Sequence, residues 1–273
     1  MINISFIGGG NMARSILGGL LAEGFHPQQL RVSGPRPNRL AALEAEFGVA
    51  TTHDNISVCV GADVVVLAVK PQVMQAVCEQ LRGHIAAETL VISVAAGITC
   101  ASLSHWLGGQ PAIVRAMPNT PALIRAGAAG LFANALVTPE QRDLATQILG
   151  AVGLACWVEQ EPLIDTVTAV SGSGPAYFFL FMEAMIAAAQ EQGLDAASAR
   201  ALTLQTALGA AKLALSSGDD IGVLRRRVTS PNGTTEQAIK SFEQSNLQGL
   251  VSVAMTACRA RAEALAQELG VKS

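Results

Sequence analysis

Through the first 160 residues, short apolar runs alternate with segments of helical periodicity. The runs Ile2–Ile7, Leu30–Ser33, Val64–Val69, Leu90–Ala95, Ile113–Met117 and Ala155–Val158 predict strands. Val64–Val69 and Leu90-Val91-Ile92 show no polar alternation, which fits strands covered on both faces, as in a parallel doubly wound sheet. Between them, Met12–Glu23, Asn38–Phe47, Gln72–Ile85, Cys100–Leu107 and Pro139–Val152 predict helices. Residues 1–160 therefore read as one α/β domain.

After Glu159 the pattern changes. Long alanine- and leucine-rich segments predict helices at Ala176–Gln192, Ala196–Ser216, Thr235–Glu243 and Leu247–Leu269, so residues 161–273 read as an all-helical domain. From Thr166 to Ser217 only five of 52 residues are charged. A helix that is apolar all round must be buried all round, and a helical domain of about 110 residues cannot hide that much surface alone. The expected cover is another subunit.

Composition narrows the class. Half the residues are hydrophobic, 14% are charged and the net charge is −3, which leaves no electrostatic footprint for nucleic acid or an anionic membrane. The basic run Arg225-Arg226-Arg227 reads as a solvated helix face. Five cysteines without C-x-x-C spacing predict reduced thiols in a cytoplasm and no zinc site. No basic n-region precedes Ile2, so no signal peptide is expected, and the apolar stretch Ala176–Ala189 is interrupted by Glu183 and too short to span a bilayer.

Gly8-Gly9-Gly10-Asn11-Met12-Ala13 joins the first strand to the first helix. In that context the glycines form a dinucleotide-binding fingerprint and the domain is Rossmann-type. Gly8 serves the tight turn, Gly10 admits a pyrophosphate, Ala13 lets the helix lie close to the strand, and the N–H groups of Asn11 and Met12 face the phosphates. An NAD site places an acid at the end of the second strand. Here the sequence is Arg31-Val32-Ser33-Gly34-Pro35-Arg36-Pro37-Asn38-Arg39, and the Ser33 hydroxyl with the Arg36 and Arg39 guanidinium groups suits a 2′-phosphate. NADPH is the expected cofactor, with NADH as an acceptable alternative; a solvent-facing basic loop would read the same way.

Ala68-Val69-Lys70-Pro71 leaves its strand at the carboxyl edge, where ligands bind in such sheets. Either the Lys70 side chain or only its backbone would line the site. Ala95-Ala96-Gly97 and Pro118-Asn119-Thr120-Pro121 occupy equivalent positions. In the helical half, Ser171–Tyr177 reads as a break between helices, with Pro175 opening the second. Ser230-Pro231-Asn232-Gly233-Thr234-Thr235 precedes a helix, and Thr234 with Gln237 fits a capping box. Those N–H and hydroxyl groups suit a small carboxylate, or serve only their own helix. All four histidines lie in the first domain, so chemistry is expected to be carried by the cofactor.

Taken together, these motifs resemble the pyrroline-5-carboxylate reductase family over nearly the whole chain. The match runs through Phe6–Ala13, Ala68–Pro71, Met117–Pro121, Ser171–Tyr177 and Val228–Thr235. The resemblance implies NADPH-dependent reduction of 1-pyrroline-5-carboxylate to L-proline, the last step of proline biosynthesis. It also implies a helical domain that interleaves with its twin, as a homodimer or a pentamer of dimers. By the same resemblance, Ser230, Gly233 and Thr234 hold the substrate carboxylate, Thr235 faces the ring nitrogen, and Asn55 and Glu161 match positions at the cofactor; Pro35, in the second-strand loop, is also expected at the cofactor. Three departures stand out: Asn232 in place of a glycine, Asp219-Asp220-Ile221-Gly222 where a histidine-proline pair is common, and Gly34-Pro35 in the second-strand loop. One rival is a β-hydroxyacid dehydrogenase, which needs a lysine on a core helix that Ser171–Ala189 lacks. The other is a non-catalytic dinucleotide-binding scaffold, against which the intact Ser230–Thr235 loop argues.

Overall fold

The computed structural model describes residues 2–271. Within these, one compact unit runs to Gly174 and resumes at Ala257, and the second is Pro175–Thr256. The first unit is built on strands β1 (Ile4–Ile7), β2 (Leu30–Ser33), β3 (Ala50–Thr52), β4 (Val64–Leu67), β5 (Leu90–Ser93), β6 (Ala112–Met117), β7 (Gly127–Ala133) and β8 (Gly153–Trp157), in the order β3-β2-β1-β4-β5-β6-β7-β8. Neighbours are parallel except β6 and β7. The chain winds from β1 outward to β3, then crosses to β4, which pairs with the other side of β1. That reversal puts the ligand crevice at the carboxyl ends of β1 and β4.

The helices of this unit are α1 (Asn11–Ala22), α2 (Pro37–Phe47), α3 (Asn55–Cys59), α4 (Pro71–Leu81), α5 (Cys100–Leu107), α6 (Pro139–Gly150) and α7 (Leu163–Val167), which continues into a π-helical turn at Thr168–Gly172. Proline opens α2, α4 and α6, where its fixed φ suits a helix and its missing N–H leaves no bond unmade. The unbroken apolar strands have a physical reason: Ile4, Phe6, Val64 and Val66 pack into one core layer, and Ile7, Val65 and Leu67 into the layer on the opposite face.

Two strands escape the hydrophobic pattern. β3 is a three-residue edge strand of Ala-Thr-Thr. β7 reads Gly-Ala-Ala-Gly-Leu-Phe-Ala, and its small residues answer a close approach: a Cβ on Gly130 would lie 2.6 Å from the Val167 methyls of α7. That packing also places residues 161–174 with the sheet, in the compact unit that runs to Gly174. Ser171 and Gly172 close the π turn, and Ser173 alone separates it from the next helix, which takes in Gly174–Tyr177.

The second unit contains helices α8 (Gly174–Glu191), α9 (Ala196–Ser216), α10 (Ile221–Arg227), α11 (Thr234–Gln244) and the first part of α12 (Leu247–Leu269). Its apolar side chains stand out in a single chain: Phe178 is 68% and Leu180 67% exposed, and α10 and α11 bury no residue. Among the described residues, no helix is long and apolar enough to cross a membrane.

Candidate active site

The fingerprint turn is shaped for an anion. Gly8 has φ +103°, and a Cβ there would lie 2.6 Å from the Ala68 carbonyl oxygen, so only glycine fits between β1 and β4. Gly10 is the N-cap of α1 and offers no side-chain acceptor. Among the described residues, no partner takes up the N–H groups of Gly9, Gly10, Asn11, Met12 and Ala13. Space around Gly10 is open, with the Arg39 guanidinium and Ala68 carbonyl each 4.0 Å from where its Cβ would stand. A pyrophosphate fits this cradle by charge and by donor count. Ala68 and Val69 flank the turn, and the exposed Lys70 is the N-cap of α4.

The loop after β2 and the first turn of α2 carry Pro35, Arg36 and Arg39 at the surface, and no hydrogen bond or ion pair engages either guanidinium among the described residues. Ser33 is different. It is fully buried, and its hydroxyl donates to Asn55 Oδ1 at 2.7 Å. Asn55 in turn donates from Nδ2 to Gln80 Oε1 at 2.9 Å. Ser33, expected at the cofactor, thus orients Asn55 at the start of α3. His53, which sequence reasoning passed over, bonds through Nδ1 to the Gly34 carbonyl at 2.8 Å; a carbonyl only accepts, so the proton sits on Nδ1.

Glu161 also has another task. Its Oε1 accepts from the Cys100 backbone N–H at the start of α5 (2.7 Å) and from Arg115 Nη1 (3.3 Å). Arg115 is 2% exposed and also reaches Asp165 Oδ1 at 3.2 Å, while its Nε has no partner among the described residues. Burial pushes the Asp165 carboxyl above its ordinary value despite the pull of Arg115. This ion triad ties β6, α5 and α7 together. The signal in the sequence was a single charge inside the apolar run Ala112–Met117, which demanded acidic partners. Nearby, the buried Asn119 donates to the Ser171 carbonyl at 2.9 Å and accepts from Ala128 N–H, fixing the π turn to the carboxyl end of β6.

In the second unit, the Ser230–Thr235 loop leads into α11. Its N-cap is Gly233, with no side-chain cap, so the expected Thr234–Gln237 capping box does not form. Instead Glu236 reaches back, its Oε2 accepting from Asn232 N–H at 3.0 Å. Gly233 N–H is already engaged by the Ser230 carbonyl at 3.0 Å, so the expected donor is occupied. The N–H groups of Thr234, Thr235 and Glu236 have no partner among the described residues and form an anion-ready helix start. Both threonine side chains are exposed, as is Ser230. Asn232 sits at φ +59°, which asparagine tolerates. Asp220 caps α10 through the Gly222 N–H (2.7 Å) and Asp219 pairs with Arg227, which gives the Asp219–Gly222 departure a local role.

Residues 161–265 match the family described as pyrroline-5-carboxylate reductase dimerisation, and residues 3–97 match NADP oxidoreductase, coenzyme F420-dependent. The pyrroline-5-carboxylate reductase of Pseudomonas aeruginosa is 54% identical over 98% of both chains. That of Escherichia coli is 42% identical over 97% of this chain and 98% of its own. Among solved structures, a pyrroline-5-carboxylate reductase from Coxiella burnetii superposes with a TM-score of 0.94 at 50% identity, covering 97% of this chain and 98% of that one. A Plasmodium falciparum pyrroline carboxylate reductase with NADP bound gives a TM-score of 0.85 at 26% identity, with the same coverage.

Proposed function

Because the chain belongs to the pyrroline-5-carboxylate reductase family, we propose that it reduces 1-pyrroline-5-carboxylate to L-proline, with NADPH as its preferred electron donor. The observation that carries this reading is the presence in one chain of two anion-ready helix starts of different kinds. One is the glycine turn after β1, with five free N–H groups; the other is the start of α11, with three free N–H groups beside two exposed threonine hydroxyls.

When bound, the dinucleotide supplies the hydride that reaches C5 of the cyclic imine. The chain's own residues bind and orient. Gly8 and Gly10 open the cradle, the first amides of α1 hold the pyrophosphate, and Arg36 and Arg39 read the 2′-phosphate. Asn55, oriented by Ser33 and Gln80, lies beside that loop. The Thr234 and Thr235 amides hold the substrate carboxylate, and the Thr235 hydroxyl hydrogen-bonds the ring nitrogen, which fixes the plane of the C=N bond for hydride attack. No ionising side chain is assigned a proton in this scheme.

The apolar faces of α8 and α9 support an obligate homo-oligomer, a dimer or a pentamer of dimers. Its setting is a reducing cytoplasm: the five cysteines are free, and burial pushes the thiols of Cys78 and Cys100 up to about 12, which keeps them protonated and inert. The test is direct. Purified protein incubated with NADPH and 1-pyrroline-5-carboxylate should show nicotinamide absorbance falling while proline accumulates. Absence of turnover by folded, NADPH-binding protein would refute the assignment and favour the non-catalytic alternative.

A further inference from the structure

We propose that Glu236, balanced by Lys240, sets the affinity of the Ser230–Thr235 loop for the substrate carboxylate, as a brace on the loop and as a resident competing anion. The inference rests on the assignment of that loop to the substrate. Four observations support it. Glu236 Oε2 takes the Asn232 N–H at 3.0 Å, so one loop amide is withheld from any ligand. Asn232, whose N–H Glu236 takes, holds the left-handed conformation that shapes the loop, φ +59°. The neighbouring amides of Thr234 and Thr235 are unengaged. Lys240, one turn further along α11, pairs with the same Oε2 at 3.2 Å. The Asn232 amide, followed by Lys240, holds the Glu236 carboxyl below its usual range, so the charge is present at neutral pH.

The two roles act in opposite directions and can be separated by substitution. Glu236→Gln retains an acceptor for Asn232 N–H and removes the like charge. Neighbours on a helix surface lie about 5–6 Å apart, and one like-charge pair at that distance in water changes an affinity about threefold. The KM for 1-pyrroline-5-carboxylate should fall about threefold in Glu236→Gln, with kcat and the KM for NADPH unchanged. Glu236→Ala removes the brace as well, and its KM should rise above that of the wild type. Lys240→Met leaves the Glu236 charge uncompensated and should raise KM two- to threefold.

The gap between wild type and Glu236→Gln should close in ~1 M salt, which a purely structural role would not produce. An unchanged or increased KM in Glu236→Gln, or a salt-independent gap, would overturn the inference. Thr235→Val separates its failure from that of the parent reading. If Thr235→Val retains full activity, the loop is not the substrate site. If Thr235→Val is impaired while Glu236→Gln behaves as wild type, only the role of Glu236 falls.

Discussion

Replacing Arg115 by methionine tests the buried triad that organises the inner end of the sheet. Methionine fills much of the same volume along β6 but removes the cation between Glu161 and Asp165. The guanidinium is 2% exposed and the two carboxylates 21% and 9%, so water cannot replace it without opening the fold. Removing one partner from a buried ion pair costs about 3–5 kcal/mol, because the remaining charges are left uncompensated. For a chain of this size each kcal/mol moves the melting temperature by about 2–4 °C, so a drop of roughly 6–20 °C is expected. Urea titration should show a lower midpoint with an unchanged slope. The pH dependence gives a second check. Burial raises the folded-state value of Asp165, so its contribution favours folding most below the unfolded value and fades as pH rises through the raised one. Without Arg115 that value rises further. The penalty of Arg115→Met should therefore be largest near neutrality and shrink as the medium is acidified, and Arg115→Met/Asp165→Asn should be more stable than Arg115→Met. A loss below about 1 kcal/mol, or one that grows toward acid pH, would refute the argument.

Thr235→Val keeps side-chain shape and removes one hydroxyl; loss of a hydrogen bond to a charged group should lower kcat/KM roughly 10–150-fold with NADPH affinity nearly unchanged, as steady-state kinetics will show. Arg36→Ala and Arg39→Ala should separately raise the KM for NADPH, by roughly 10–100-fold at the residue that contacts the 2′-phosphate, while the KM for NADH barely moves; equal losses with both cofactors would assign that arginine to the pyrophosphate instead. Gly8→Ala should weaken binding of both cofactors alike in fluorescence titration, because the Cβ would lie 2.6 Å from the Ala68 carbonyl and displace the turn. Light scattering at low micromolar concentration should find a dimer or a multiple of dimers, and a stable, fully active monomer would contradict the reading of α8 and α9.

What the sequence determined by itself was local and repetitive. Unbroken apolar runs at Val64–Val69 and Leu90–Ile92 demanded cover on both faces, and the sheet provides it with two core layers. Gly8 announced a turn whose backbone geometry only glycine fits, and the charge-poor helices announced surface that one chain does not cover. Tertiary structure decided whatever depends on partners far apart in the chain. β7 exists because small residues let α7 lie close, a packing fact with no period in the sequence. The Ser33 hydroxyl found its acceptor on Asn55, 22 residues away, a pairing with no signal in the sequence. Glu161 found Cys100 and Arg115 across 61 and 46 residues of chain. At Ser230–Thr235 the sequence located an anion-ready helix start. Which amides remain free there was decided by where Ser230 and Glu236 place their oxygens, because each backbone amide has one proton and the fold allocates it first.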